Sequence, residues 1–179
     1  MGTFGRRPSL KNNTYAEPTL VRDVNEILSS AENKKWIDNN GNIDIKKIAE
    51  DENIKIVYVE LDSAVSGYLK LENGNWVIGV NQLHNSKRQR FTIAHELGHF
   101  YMHKEKNILF EDTTFFRDSG NSSIEFAANE FAANLLMPET RVRDAINSGI
   151  KELAELALRF DVSIAAIKYR VVSLGYKLK

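Results

Sequence analysis

The feature that most constrains this chain is the pentapeptide His95-Glu96-Leu97-Gly98-His99. On an α-helix, positions i and i+4 lie one above the other on the same face. The motif therefore asks for a helix, and the helix brings two imidazoles within reach of a single ion. That is the two-histidine half of a zinc site. Glu96 falls beside such an ion rather than on it. A carboxylate there can take a proton from water, whose pKa a zinc ion lowers to about 7.

The competing reading is an amphipathic helix with two half-exposed histidines, and the flanks argue against it. Thr92, Ile93, Ala94, Leu97 and Phe100 supply apolar faces, and Ser86 with Gln89 reads as a capping box opening the helix. At 179 residues the chain suits one domain with a small helical appendage. Twenty-four basic and twenty-four acidic residues cancel, which leaves no global attraction to nucleic acid or membrane. The absence of cysteine removes disulfides and thiolate ligands and fits a reducing compartment. No run has the length of a membrane span, Met1 to Pro18 lacks an apolar signal core, and Arg6 stands where a myristoylation motif wants Ser or Thr. A cytoplasmic protein is expected.

Residues 1–18 read as a flexible arm. Leu20, Val24, Ile27, Leu28 and Ala31 recur at helical spacing and predict a first helix from Thr19 to about Ile37. Asn39-Asn40-Gly41-Asn42 is a turn, after which Asp44 caps a short helix carrying Ile45, Ile48 and Ala49. Strands follow at 54–61, 65–71 and 76–80, the last two joined by an Asn73-Gly74 hairpin turn. They predict a small three-stranded antiparallel sheet backing the histidine helix. Segment 104–121 reads as a loop, equally one that shapes a substrate groove or a plain surface loop. Ser122 to Leu136 is a tightly packed helix with a Ser122/Glu125 capping box, ended by Pro138. The remainder is helical, broken at 147–149 and 161–163. The fold class is thus α+β and mainly helical. The expected divisions are an arm at 1–18, a core at 19–137 and a helical part at 138–179.

A catalytic zinc needs a third protein ligand and a position open to water. His103, eight residues past His95, lies roughly 80° away around the helix. One rigid helix does not bring three imidazoles to one ion that way, so His103 is placed in the groove or behind a ligand. His84 reads as a surface histidine. Glu125 and Glu130 on the next helix remain as candidates, each with an Asn four residues on, Asn129 and Asn134.

The run Arg88-Gln-Arg-Phe-Thr-Ile-Ala-His-Glu-Leu-Gly-His99, followed by Glu125-x-x-Ala-Asn-x-Phe-Ala-Ala-x-Leu-Leu-Met-Pro138, resembles the ImmA/IrrE family of zinc metallopeptidases over roughly residues 44–175. The resemblance implies His95, His99 and Glu125 as zinc ligands and Glu96 as the catalytic base. Asn129 matches the position four after the third ligand, suited to fixing a ligating imidazole. Ala127 stands where the family often has a second acid. Glu130 is the fallback ligand, and Mn²⁺ an alternative ion for the same donors. Tyr101 and Tyr68 are possible oxyanion donors. The implied substrate is a helix-turn-helix repressor, cleaved to release stress, prophage or mobile-element genes.

Residues 156–171 resemble a helix-turn-helix, with Ala157 at the crossing, Asp161 in the turn, and Ile167 and Val171 facing inward. Lys168, Tyr169 and Arg170 would then be placed to meet phosphate, but the neutral chain favours packing or partner docking over DNA. Two alternatives stand beside the peptidase. One is a DNA- or protein-binding regulatory module with a structural or vestigial metal site; the other is a protease-type toxin restrained by an antitoxin. An intact Glu96 argues against the first, since a structural site has no use for a base.

Overall fold

The computed structural model describes residues 22–103 and 122–177. The predicted arm at 1–18, the predicted loop at 104–121 and the side chains of His103 and Ser122 lie outside what is described. Among the described residues are seven helices and one three-stranded sheet.

Helix α1 (Val24–Asn33) starts at Asp23, whose carboxylate accepts the Asn25 N–H at 2.8 Å, and buries Val24, Ile27 and Ala31. It stops four residues short of the expected Ile37. Lys35 turns to φ 57° and the Trp36 N–H reaches back to the Ala31 carbonyl at 2.8 Å. Ile37 is thereby released to form a lone antiparallel bridge with Ile43 across the 39–42 turn. Asp38 holds that turn, accepting the N–H groups of Asn40 and Asn42, each at 2.8 Å. Asp44 then caps α2 (Ile45–Asp51), as expected, through the N–H groups of Lys46 and Lys47.

Strands β1 (Lys55–Val59), β2 (Gly67–Glu72) and β3 (Asn75–Asn81) pair in the order β1-β3-β2. Asn73 and Gly74 both take positive φ, 50° and 77°, as a two-residue hairpin of the I′ kind requires. The sheet is mixed rather than antiparallel. Because β2 and β3 close on each other through the hairpin, β1 is left the far edge of β3, where it runs parallel. Leu69, Ile78 and Val80 face inward and are fully buried. On the outer face the Tyr68 ring covers Gly79, where a Cβ would stand 2.3 Å from it.

Helix α3 (Ser86–His103) carries the histidine motif through the centre of the molecule. Its opening differs from the predicted capping box by one residue. Asn85 takes the cap, accepting the Arg88 N–H at 3.0 Å, while the Gln89 amide donates outward to the carbonyls of Asn81 and Gln82. Ile93, Leu97 and Phe100 of α3 bury against the sheet and against Phe131 and Ala132 of α4 (Ser122–Leu136). The two helices approach closely at Gly98: a Cβ there would lie 3.2 Å from Ala128 Cα and from Phe131 Cβ.

After Pro138 come α5 (Glu139–Asn147), α6 (Leu153–Arg159) and α7 (Ile164–Ser173), with breaks at Gly149 (φ 107°) and Asp161 (φ 49°) where the sequence put them. Ala157, Ile167 and Val171 are buried and join the same hydrophobic core as α1 and the sheet. Arg170 is buried too. Its Nε donates to the Met137 carbonyl at 3.0 Å and its Nη2 to Asn134 Oδ1 at 2.6 Å, satisfying a backbone group left over at the end of α4.

Candidate metal centre

One turn of α3 sets His95 above His99, and the close approach of α4 brings Glu125 across to meet them. The His95 and His99 Nε2 atoms are 3.0 Å apart. Glu125 Oε2 lies 3.4 Å from His95 Nε2, and its Oε1 lies 3.1 Å from His99 Nε2. Four donors at zinc bond lengths of about 2.0–2.1 Å around a tetrahedron stand about 3.3 Å from one another. The three side chains therefore already sit at ligand spacing, and they form a group that could hold a metal ion.

The surroundings favour a cation at that point. His95 Nδ1 lies 3.0 Å from Asn129 Oδ1, an atom that only accepts, so the ring proton sits on Nδ1 and Nε2 turns its lone pair inward. Facing the His95 ring first and the His99 ring second, the Glu125 carboxyl is held well below its ordinary range despite its partial burial. It is a full anion at neutral pH. Both histidines are buried, at 1% and 4% exposure, whereas the Glu125 side chain keeps 36%. Access from solvent is thus on the α4 side.

Glu96 is 4% exposed and adjoins the first histidine on the same turn. Tyr101 is not brought to this cluster. It is buried, and its hydroxyl donates to Glu52 Oε1 at 3.0 Å, with Arg22 pairing the same carboxylate at 3.3 Å. Burial first, then the Glu52 charge, raise its phenol above the ordinary value. No spacing rule reveals this, because Glu52 is distant in sequence. Tyr68 faces the outer side of the sheet on Gly79. Glu130 points elsewhere and meets the Tyr169 hydroxyl at 3.4 Å. His84 Nε2 lies 3.1 Å from the Ser63 carbonyl. What sequence reasoning missed is where the sheet meets α3, at the start of β2. Arg88 donates from Nε and Nη2 to Ser66 Oγ, and the next residue, Gly67, rests on Thr92. A glycine opening a strand was the signal available.

A family profile described as the IrrE N-terminal-like domain, Peptidase_M78, matches residues 49–172. The radiation response metalloprotease IrrE of Deinococcus radiodurans is 34% identical over 98 residues, covering 52% of this chain and 30% of that protein. The metallopeptidase ImmA of Bacillus subtilis is 27% identical over 146 residues, covering 78% of this chain and 81% of the relative. The chain thus spans less than a third of the Deinococcus relative's length. A solved Mycobacterium tuberculosis transcriptional regulator shares the fold at TM-score 0.57 and 16% identity, over 84% of this chain and 47% of that one. With the profile covering most of the chain and the His-His-Glu group inside its span, the chain belongs to the ImmA/IrrE family of metallopeptidases.

Proposed function

We propose that the chain is a zinc-dependent endopeptidase in which His95, His99 and Glu125 hold the ion and Glu96 is the catalytic base. The carrying observation is the convergence of three ligand atoms at tetrahedral spacing, with Glu96 on the adjoining helical position. Two neutral imidazoles and one carboxylate suit zinc and leave it a position for exchange, as in other His₂Glu enzymes; the same donors accept Mn²⁺. Bound there, the ion supplies Lewis-acid activation of a peptide carbonyl and of water.

The protein's own contribution is orientation and proton handling. Asn129 fixes the His95 ring so that Nε2 rather than Nδ1 faces the site. Glu96 takes a proton from the attacking water and returns it to the leaving amine, so the peptide C–N bond breaks with no net proton change at the carboxylate. Gly98 lets α4 approach closely enough for Glu125 to reach both histidines.

For substrate, the reading follows the family resemblance: a helix-turn-helix repressor, acting in the cytoplasm, with residues 19–137 as the peptidase unit and 138–179 helping to present the substrate. DNA binding by α6 and α7 is less supported. Of the three residues placed to meet phosphate, Arg170 is buried on Met137 and Asn134 and Tyr169 is engaged with Glu130, which leaves Lys168.

The test is elemental analysis and repressor cleavage with wild type, Glu96→Gln and Glu125→Ala. About one zinc per chain is expected in the first two and little in the third. Cleavage of a co-encoded repressor should fall by about 10²–10⁴-fold in Glu96→Gln. Zinc retained without Glu125 would sink the ligand set; a zinc-loaded wild type that cuts no such repressor would sink the substrate.

A further inference from the structure

We propose that Arg88 is a specificity-determining residue: a fixed cation that receives an acidic side chain of the substrate about three residues from the scissile bond. The inference rests on the peptidase reading and adds to it a preference within the substrate. Arg88 lies seven residues before His95 on α3. At about 100° per residue this puts it within about 20° of His95 around the helix, and at about 1.5 Å per residue roughly 10 Å nearer the N-terminus. A peptide crossing the ligands and running toward the start of α3 advances about 3.3 Å per residue. Its third residue from the reacting bond arrives at Arg88.

The side chain is already held. Its Nε and Nη2 donate to Ser66 Oγ at 3.2 and 3.0 Å, and Ser66 is itself only 4% exposed. The anchor is rigid because Gly67, the next residue, is pressed onto this face of α3. A Cβ on it would lie 2.5 Å from both Thr92 Cγ2 and the Gly79 carbonyl oxygen. The start of β2 and the ligand-bearing face of α3 thus meet at Arg88, which itself stays exposed.

Its charge is uncompensated among the described residues. Arg22, Arg90, Arg141 and Arg143 each face a carboxylate, at 3.3, 3.9, 2.6 and 2.7 Å, whereas Arg88 meets only a neutral hydroxyl. An arginine fork fixed along one edge keeps its remaining donors for a second acceptor. It loses little side-chain freedom when a carboxylate docks. An Asp or Glu side chain is the matching group.

The experiment is cleavage of a defined peptide mixture by the zinc-loaded enzyme, with products aligned on the cut bond by mass spectrometry. It is run for wild type, Arg88→Leu, Arg88→Glu, Arg88→Lys and Ser66→Ala, with zinc content and circular dichroism recorded for each. Wild type is expected to enrich Asp and Glu about tenfold at one position, roughly three residues from the cut, an effect of the size of one charge-assisted contact. Arg88→Leu flattens that position through KM rather than kcat, Arg88→Glu turns it toward Lys and Arg, and Arg88→Lys keeps part of the preference. Ser66→Ala, which leaves the cation but frees it, weakens the preference. Cleavage with no acidic position, or with one that Arg88→Leu leaves intact, overturns the subsite and spares the peptidase reading. A zinc-loaded wild type that cuts no peptide overturns the peptidase reading, and the subsite with it.

Discussion

At the scale of single residues, the contact that carries most chemical information is Asn129 on His95. An amide oxygen on Nδ1 dictates the tautomer of a ligand without touching the ion, and losing such a partner costs about 10–100-fold in metal affinity. Asn129→Ala should therefore weaken zinc by about that factor, read by competition with a chromophoric chelator, while leaving helix content unchanged. Unchanged affinity would reduce Asn129 to a surface polar residue. Spacing alone offered Asn129 and Asn134 equally, each four places after a carboxylate on one helix face, and it was the family resemblance that pointed to Asn129. The partner of Tyr101 was legible from neither. Its hydroxyl ends on Glu52, brought close only by how α2 packs on α3, and nothing local to Tyr101 encodes that.

At the scale of elements, what the sequence announces best is what is decided within a few residues. Asp44 capping α2, the Asn73-Gly74 hairpin and the break at Asp161 are all local chemistry, and all stand where they were read. The parallel pairing of β1 with β3 is not local. It follows from which strand edge remains after the hairpin closes, and alternation of apolar residues reads the same in either direction. Likewise the α3 cap slipped from Ser86 to Asn85, because both are good caps and the choice falls to the loop before them. The turn held by Asp38 offers a test at this scale. Burial pushes this carboxyl up, but hydrogen bonds from the backbone and side chain of Asn42 and the backbone of Asn40 outweigh it and leave it below its ordinary value. A depressed carboxyl stabilises fully above its unfolded pKa, about 3.9, and loses that contribution as pH falls through the folded value. The difference in Tm between wild type and Asp38→Ala should therefore be constant near neutrality and shrink below about pH 4. A difference independent of pH would assign the turn to other contacts.

At the scale of the molecule, one hydrophobic core runs from Val24 of α1 through the sheet and α3 to Val171 of α7. Its members are apolar side chains packed on one another, so the fold is expected to survive chelation. On the proposed function, zinc binding to the folded chain alone would still add stability, by about 2.7 kcal/mol at a hundredfold excess over Kd. For a chain of this size that is a rise in Tm on the order of 5–10 °C. Melting followed by circular dichroism, with and without a chelator, checks both parts. An unfolded apo protein would mean that the ion, rather than the core, holds α3 to α4.

The glycine in the middle of the histidine motif then takes on a second meaning. At Gly98 the backbone of α3 rests almost directly on Ala128 and Phe131, and this is the point at which the separation of the two ligand-bearing helices is set. On the proposed ligand set, two ligands stand on one side of that contact and the third on the other, so the missing side chain works as a spacer gauge. Its thickness translates into the bond length that Glu125 can offer. A methyl group there would move the third ligand outward by a few tenths of an ångström at most, which is the scale on which one divalent ion is told from a larger one.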